Sequence, residues 1–288
     1  MDMRYEAPKS LDQAVALLAA EQGETRVLAG GTDLLVQMRT DVIEPVLLVD
    51  IKGIAELRQI KEEAGGFRIG AAVTGAELKE HPRLKTVWPG VVEAANLIGS
   101  TQVQGRATMG GNLCNGSPAA DSVPALIAAG AKASIVGPKG RREVPVEEIM
   151  LAPRKLSLTK GELIASFLLP ARAPRSSDAY LRFIPRTEMD IAVVGAGVCL
   201  TLDAGGTCTA ARLSLGAVAA RPLLVAPGAA ALVGSKVDKA ALEKLAAAAS
   251  AACKPIDDKR GTIEYRIKVA GVLARRAAEI ALERARKG

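Results

Sequence analysis

Two glycine pairs constrain the fold more than any other feature of this chain. The first, in Ala29-Gly30-Gly31-Thr32-Asp33, separates Arg26 to Ala29, which reads as a buried strand, from Leu34 to Met38, which reads as a helix. Such a junction offers free amides and the positive end of a helix dipole to an anion, and glycine removes the side chains that would block the approach. The second pair, in Thr108-Met109-Gly110-Gly111-Asn112, has a similar make-up. Two such loops on neighbouring units could clasp one pyrophosphate between them; two unrelated turns would leave the same residues.

The flanking pattern fits α/β units. Ser10 with Gln13 forms a capping box, Leu11, Val15 and Leu18 share one helix face, and Gly23 is the expected stop. Val46 to Ile51 returns as a strand, so helix, strand, helix and strand make a small unit over about residues 1–57. A second unit, 58–175, opens with Phe67 to Ala72 as a strand, and Thr74 with Glu77 repeats the capping box before Pro82. A helix is expected from about Trp88 to Ile98, another from Asp121-Ser122 to Gly130, then a strand over Ala133 to Val136. Proline and charge thicken between Pro170 and Asp178, which sets the boundary to a C-terminal domain, 176–288. There Ile191 to Asp203 and Thr207 to Val218 read as a hairpin through Gly205-Gly206. Two helices follow, Lys239 to Ala252 and a last one striped by Ile263, Ile267, Ala270, Leu273, Ala277 and Ile280.

Several function classes are disfavoured. No apolar stretch approaches the roughly 20 residues that cross a bilayer. Met1 to Ser10 carry Asp2, Arg4, Glu6 and Pro8 where a secretory signal would be apolar, so the cytoplasm is the expected location. Cys114, Cys199, Cys208 and Cys253 follow neither a zinc nor an iron–sulfur spacing, which leaves reduced thiols as the expected state. The net charge of +7 would suit nucleic acid, but only 2% of residues are aromatic, too few for base-stacking platforms. The dispersed basic residues therefore read as a solvated or partner-facing surface.

Few side chains offer chemistry of their own. Asp121 has two readings, a helix cap or a carboxylate that accepts from a ribose hydroxyl or a base amine. Gly195-Ala196-Gly197 lacks the third glycine of a dinucleotide fingerprint, since Leu200 stands there and the segment continues as a strand. His81, the only histidine, precedes Pro82 and reads as a loop residue. No nucleophile–base set is available, so any catalysis must be carried by a cofactor.

The stretch TMGGNLCNGSPAADSVPAL at Thr108 to Leu126, with AGGTDLL at Ala29 to Leu35, resembles the flavoprotein subunit of the molybdenum hydroxylases, of the xanthine dehydrogenase and carbon monoxide dehydrogenase type. The likeness continues through APRKLSLTKGELI at Ala152 to Ile164, YLRFIPRTEMDIAVVGAGV at Tyr180 to Val198 and Glu264-Tyr265-Arg266, and so covers nearly the whole chain. It implies a two-subdomain, α/β FAD-binding fold of the vanillyl-alcohol-oxidase (PCMH) type, followed by a C-terminal α+β domain. FAD would lie between the two α/β units. By matching motifs, Ala29, Gly30, Gly31, Thr32 and Asp33 with Thr108, Met109, Gly110, Gly111 and Asn112 would hold the pyrophosphate, and Leu34 would join this cofactor-binding set. Asp121 would contact the cofactor, and Ile98, Ile164 and Arg182 fall at further positions that touch FAD in relatives. Ile191, in the charged loop from Arg186, matches the position closest to the flavin ring.

The resemblance further implies a large molybdopterin-binding subunit and a small subunit with two [2Fe–2S] clusters, assembled as a dimer of heterotrimers. Substrate would be hydroxylated at the molybdenum cofactor of the large subunit, and electrons would leave through this flavin to NAD, a quinone or oxygen. Two departures narrow this. Thr32 and Asp33 stand where carbon monoxide dehydrogenases typically have histidine and serine, which is similar to the xanthine and aromatic-substrate branches. The cysteine spacing does not supply the extra cluster of benzoyl-CoA-type relatives, so no metal is expected in this chain. A self-sufficient FAD oxidoreductase of the same fold is the first alternative, disfavoured by the missing acid–base set. A basic non-enzymatic binding module is the second, disfavoured by the aromatic count.

Overall fold

In the computed structural model, which describes residues 3–288, Ser10 opens the first helix as its pattern requires. Met1 and Asp2, the start of the leading stretch from which location was read, lie outside the described residues. The first unit runs β1 (Arg4–Glu6), α1 (Leu11–Ala20), β2 (Thr25–Leu28), α2 (Leu34–Arg39) and β3 (Leu47–Asp50). Its three strands are parallel in the order β1-β3-β2, with Thr25 opposite Leu47 and Leu28 opposite Asp50. The middle strand is buried along its length, as the apolar run Leu47-Leu48-Val49 demands of a parallel strand covered on both faces. Ser10 Oγ accepts from Gln13 N, but Gln13 Oε1 reaches Lys9 N, one residue before the position a complete capping box uses. α1 ends at Ala20, ahead of Gly23.

The second unit comprises β4 (Ile60–Glu63), β5 (Gly66–Gly70), α3 (Gly75–Glu80), α4 (Leu84–Val87), α5 (Pro89–Ala95), α6 (Thr101–Gln104), α7 (Met109–Cys114), α8 (Ser122–Ala128), β6 (Lys132–Gly137), β7 (Gly140–Pro145), β8 (Met150–Ala152), β9 (Lys155–Leu156) and β10 (Leu163–Leu169). The capping box of α3 is complete: Thr74 Oγ1 accepts from Glu77 N, and Glu77 Oε2 accepts from Thr74 N at 2.8 Å. His81 ends this helix, its Nδ1 accepting from Leu84 N and its ring edge-on to Phe67. The antiparallel sheet has the order β4-β5-β10-β6-β7, so the last strand in sequence takes the central place. A register shift between Ile164 and Ser166 sends Leu163 and Ala165 into the core of the first unit, while Ile164, Phe167 and Leu169 belong to that of the second. β10 therefore joins the two units.

Residues 170–175 lead to an antiparallel meander, β11 (Ser176–Phe183), β12 (Val194–Leu202), β13 (Cys208–Gly216) and β14 (Leu223–Leu224), followed by α9 (Ala226–Leu232), α10 (Lys239–Ala252) and α11 (Ile263–Lys287). Gly195 and Gly197 lie inside β12, which agrees with the rejection of a dinucleotide fingerprint there. α11 packs on β11 and β12 with α10 beside it, while α5 and α8 of the second unit contact the same strands. All four cysteines are free, and among the described residues no helix is long and apolar enough to cross a membrane.

Candidate functional site

The first glycine loop needs its lack of side chains. A Cβ at Gly30 would lie 2.1 Å from the Arg106 carbonyl oxygen, so the loops between β2 and α2 and between α6 and α7 meet backbone to backbone. Gly31 has φ +79°, a left-handed conformation that glycine adopts without strain. The amides of residues 30 to 34 donate to no acceptor among the described residues, although Gly31 and Asp33 carbonyls accept from Leu35 and Gln37. A run of unpaired donors in a folded protein calls for water or an anionic ligand.

The second loop is built for the same exposure. Thr108 Oγ1 caps α7 by accepting from Gly111 N at 2.9 Å, an antiparallel bridge between Thr74 and Thr108 turns the Met109 amide towards the second unit, and the Gly110 amide is left without an acceptor among the described residues. A Cβ at Gly111 would meet only that hydroxyl, at 3.1 Å, and otherwise open space. Asn112 takes up the role that the sequence offered to Asp121: its Oδ1 accepts from Ser122 N at 3.0 Å and Ser122 Oγ at 2.7 Å, capping α8. Asp121 makes no side-chain cap.

Both loops face a cleft of ≈ 700 Å³, a volume ordinary for a small-molecule or cofactor site. Ala29, Gly30, Gly31, Thr32, Asp33 and Leu34 line it with Thr108, Gly110, Gly111 and Asn112, and Ile98 and Ile164 add apolar wall. Asp33 is exposed as a residue, yet its carboxyl sits against the protein wall, and desolvation raises its pKa. Cys114 also opens onto the cleft, crowded by protein on its other sides, and desolvation raises its thiol well above the ordinary range. Solvent in an open cleft relieves part of that desolvation; a ligand filling the cleft restores it.

Four of the expected residues lie off the lining. Met109 points into the core of the second unit. Asp121 and Arg182 form a buried pair at 2.9 Å, and Arg182 Nη1 also donates to the Leu97 carbonyl at 2.7 Å, immediately before Ile98. Tyr180 donates to the other Asp121 oxygen at 3.3 Å. Desolvation outweighs Arg182 and pushes the Asp121 carboxyl up to about 6. Ile191 is half exposed on the loop between β11 and β12; Met189 N of that loop donates to Gly99 O at 3.3 Å.

Other residues complete the lining, among them Gln37, Asn115, Arg154 and Lys160. Gln37 Nε2 donates to Asn115 Oδ1 at 2.8 Å and so ties α2 to the end of α7. Nothing in the spacing of these polar residues marks them; only the fold brings them to one wall. The donor set fits a dinucleotide pyrophosphate: amides on two sides and a glycine gap for close approach.

Residues 1–172 match the family described as the FAD binding domain in molybdopterin dehydrogenase, and residues 178–281 match the CO dehydrogenase flavoprotein C-terminal domain. The chain is similar to the carbon monoxide dehydrogenase medium chain of Afipia carboxidovorans, at 36% identity over 98% of this chain and 97% of that one. It is also similar to the xanthine dehydrogenase FAD-binding subunit of Escherichia coli O157:H7, at 34% identity over 76% and 75% of the two chains. Among solved structures, a chain of the reconstituted CO dehydrogenase from Oligotropha carboxidovorans superposes with a TM-score of 0.94 at 36% identity, covering 99% of both chains.

Proposed function

This chain belongs to the FAD-binding medium subunits of the molybdenum hydroxylases, and we propose that it holds the FAD through which such a complex passes electrons from partner [2Fe–2S] clusters to NAD, a quinone or oxygen. The observation that carries this reading is the run of unpaired amides from residue 30 to 34, facing the Thr108 to Asn112 loop across one cleft. FAD, when bound, supplies one- and two-electron chemistry that no side chain of the cleft possesses.

The remaining work falls to the protein. The amides of both loops would bind the pyrophosphate, and Gly111 leaves the gap through which it approaches. Ile98 and Ile164 would shield a bound flavin from water, and Ile191 would reach it from off that lining, on the loop that Met189 N ties to Gly99 O. Asp121 and Arg182 support that wall from behind, since Arg182 holds the carbonyl that precedes Ile98. In this reading a large molybdopterin-binding subunit and a small [2Fe–2S] subunit complete a dimer of heterotrimers in the cytoplasm.

Purification from the native host tests the proposal. A flavin spectrum with two co-purifying chains is the expected result; a colourless single chain refutes it.

A further inference from the structure

The turn between β8 and β9 places an arginine where the backbone favours glycine. Pro153 and Arg154 occupy its centre, and Arg154 has φ +60°, so the pair has the signature of a type II turn, whose second central residue is ordinarily glycine. The turn is held in place by the segment after α7. Arg154 N donates to Gly116 O at 2.8 Å, and a Cβ at Gly116, itself at φ +64°, would come within 2.8 Å of Arg154 Cα. Two adjoining left-handed residues thus fix Arg154 at the cleft wall.

The charge at this wall is not consumed by the protein. Three cations line the cleft: Arg26, Arg154 and Lys160. Arg26 pairs with Glu24 at 2.5 Å, and Lys160 Nζ lies 3.3 Å from Gln22 Oε1. Among the acids of the lining, Glu162 is held by Arg142, and Asp33 forms no ion pair among the described residues. Arg154 has neither a carboxylate within ion-pair distance nor a side-chain hydrogen-bond acceptor among the described residues. Backbone strain of this kind persists where the surrounding structure over-determines it, and it concentrates at binding sites.

Resting on the FAD reading above, we propose that Arg154 is a clamp for the cofactor's pyrophosphate, supplying from a third side the countercharge that the two amide loops lack. A guanidinium presents a planar fork that matches phosphate oxygens in pairs, and desolvation in a filled cleft strengthens the contact. The turn's strain then serves a purpose that an unstrained glycine could not: it brings a cation to the cleft wall.

The test is titration of the flavin-free, full-length chain with FAD and with ADP, which shares the diphosphate, alongside thermal unfolding of the flavin-free form. Arg154→Gly relaxes the turn and Arg154→Met removes the charge at similar length. Both are expected to weaken FAD and ADP by about 10- to 100-fold, the range of one charged hydrogen-bonding contact. Arg154→Lys is expected to lose less, and the salt dependence of wild-type binding to flatten in the uncharged variants. The flavin-free glycine variant should unfold no earlier than wild type.

Wild-type affinity in the glycine and methionine variants would overturn the clamp. So would weakened FAD binding with ADP unaffected, which would move the contact away from the diphosphate, or early unfolding of the glycine variant, which would make Arg154 structural. A wild-type chain that binds no FAD at all would instead sink the reading on which the clamp rests.

Discussion

Gly111 has room for a Cβ, but its only near neighbour is the capping hydroxyl of Thr108, and the open side beyond it is cleft. Gly111→Leu should therefore strip FAD, by at least about tenfold in affinity, because its side chain occupies the phosphate approach. The meander β11 to β14 with its helices should remain folded, since its core includes nothing from α7. Absorbance of bound flavin per chain, with the unfolding transition recorded beside it, checks both halves; stoichiometric flavin in this variant would exclude the loop. At this scale the glycine loops were legible in sequence, because backbone access is written in local composition. The pairing of Asp121 with Arg182 was not, for the partners are 61 residues apart and meet only when β11 lies against α8. The capping of α8 by Asn112 rather than Asp121 was hidden for the same reason: a cap from ten residues away leaves no local pattern.

Among the elements, those with helical period or a capping box were legible, as α1, α3, α10 and α11 show. β10 was not. Leu163 to Leu169 is an almost unbroken apolar run, buried on both faces, and without alternation such a run does not declare itself a strand. β7 escaped for the opposite reason, since Arg141, Arg142 and Glu143 make an exposed edge strand look like a loop. The segment that enters β10 carries a pH-sensitive contact. Glu162 accepts two bonds from Arg142, each 2.9 Å, and another from Thr159 N at 2.8 Å. The Arg142 bond leads in lowering its pKa from 4.5 to about 2. A depressed carboxylate contributes stability that is present above its unfolded pKa and lost as pH falls through the folded one. Glu162→Gln should accordingly lower stability at neutral pH and flatten the loss between about pH 4.5 and 2, with the acid end little changed. Urea unfolding across that range measures it, and an acid limb as steep as wild type would contradict the assignment.

Across the whole molecule, the FAD-binding part and the C-terminal part are joined by buried charge as well as by apolar packing. Asp178 on β11 is 2% exposed, binds Arg172 at 2.8 Å and accepts from Val91 N of α5 at 3.0 Å. Arg172 lies over the Trp88 ring, 3.9 Å from its centroid, and Arg284 of α11 reaches the Asp178 carbonyl at 2.9 Å and pairs with Glu93. Asp178→Ala leaves a buried guanidinium without its counterion, a change that costs about 3–5 kcal/mol. Denaturant unfolding should show that loss. A variant as stable as wild type would mean that packing alone holds the joint.

The central position of β10 sets an order on how this chain comes to be. β5 ends at Gly70 and waits for a partner whose first residue is Leu163, so the five-stranded sheet cannot close while the ribosome has made only the glycine loops. Until then β5 and β6 lack the strand that separates them, and the first unit lacks Leu163 and Ala165 from its core. Ile164 and the residues just before it are also wall of the cleft. Cofactor capture is thus deferred to the final stage of the first two units' synthesis, although both glycine loops emerge long before. A nascent chain bearing both complete glycine loops still lacks the wall that closes their cleft.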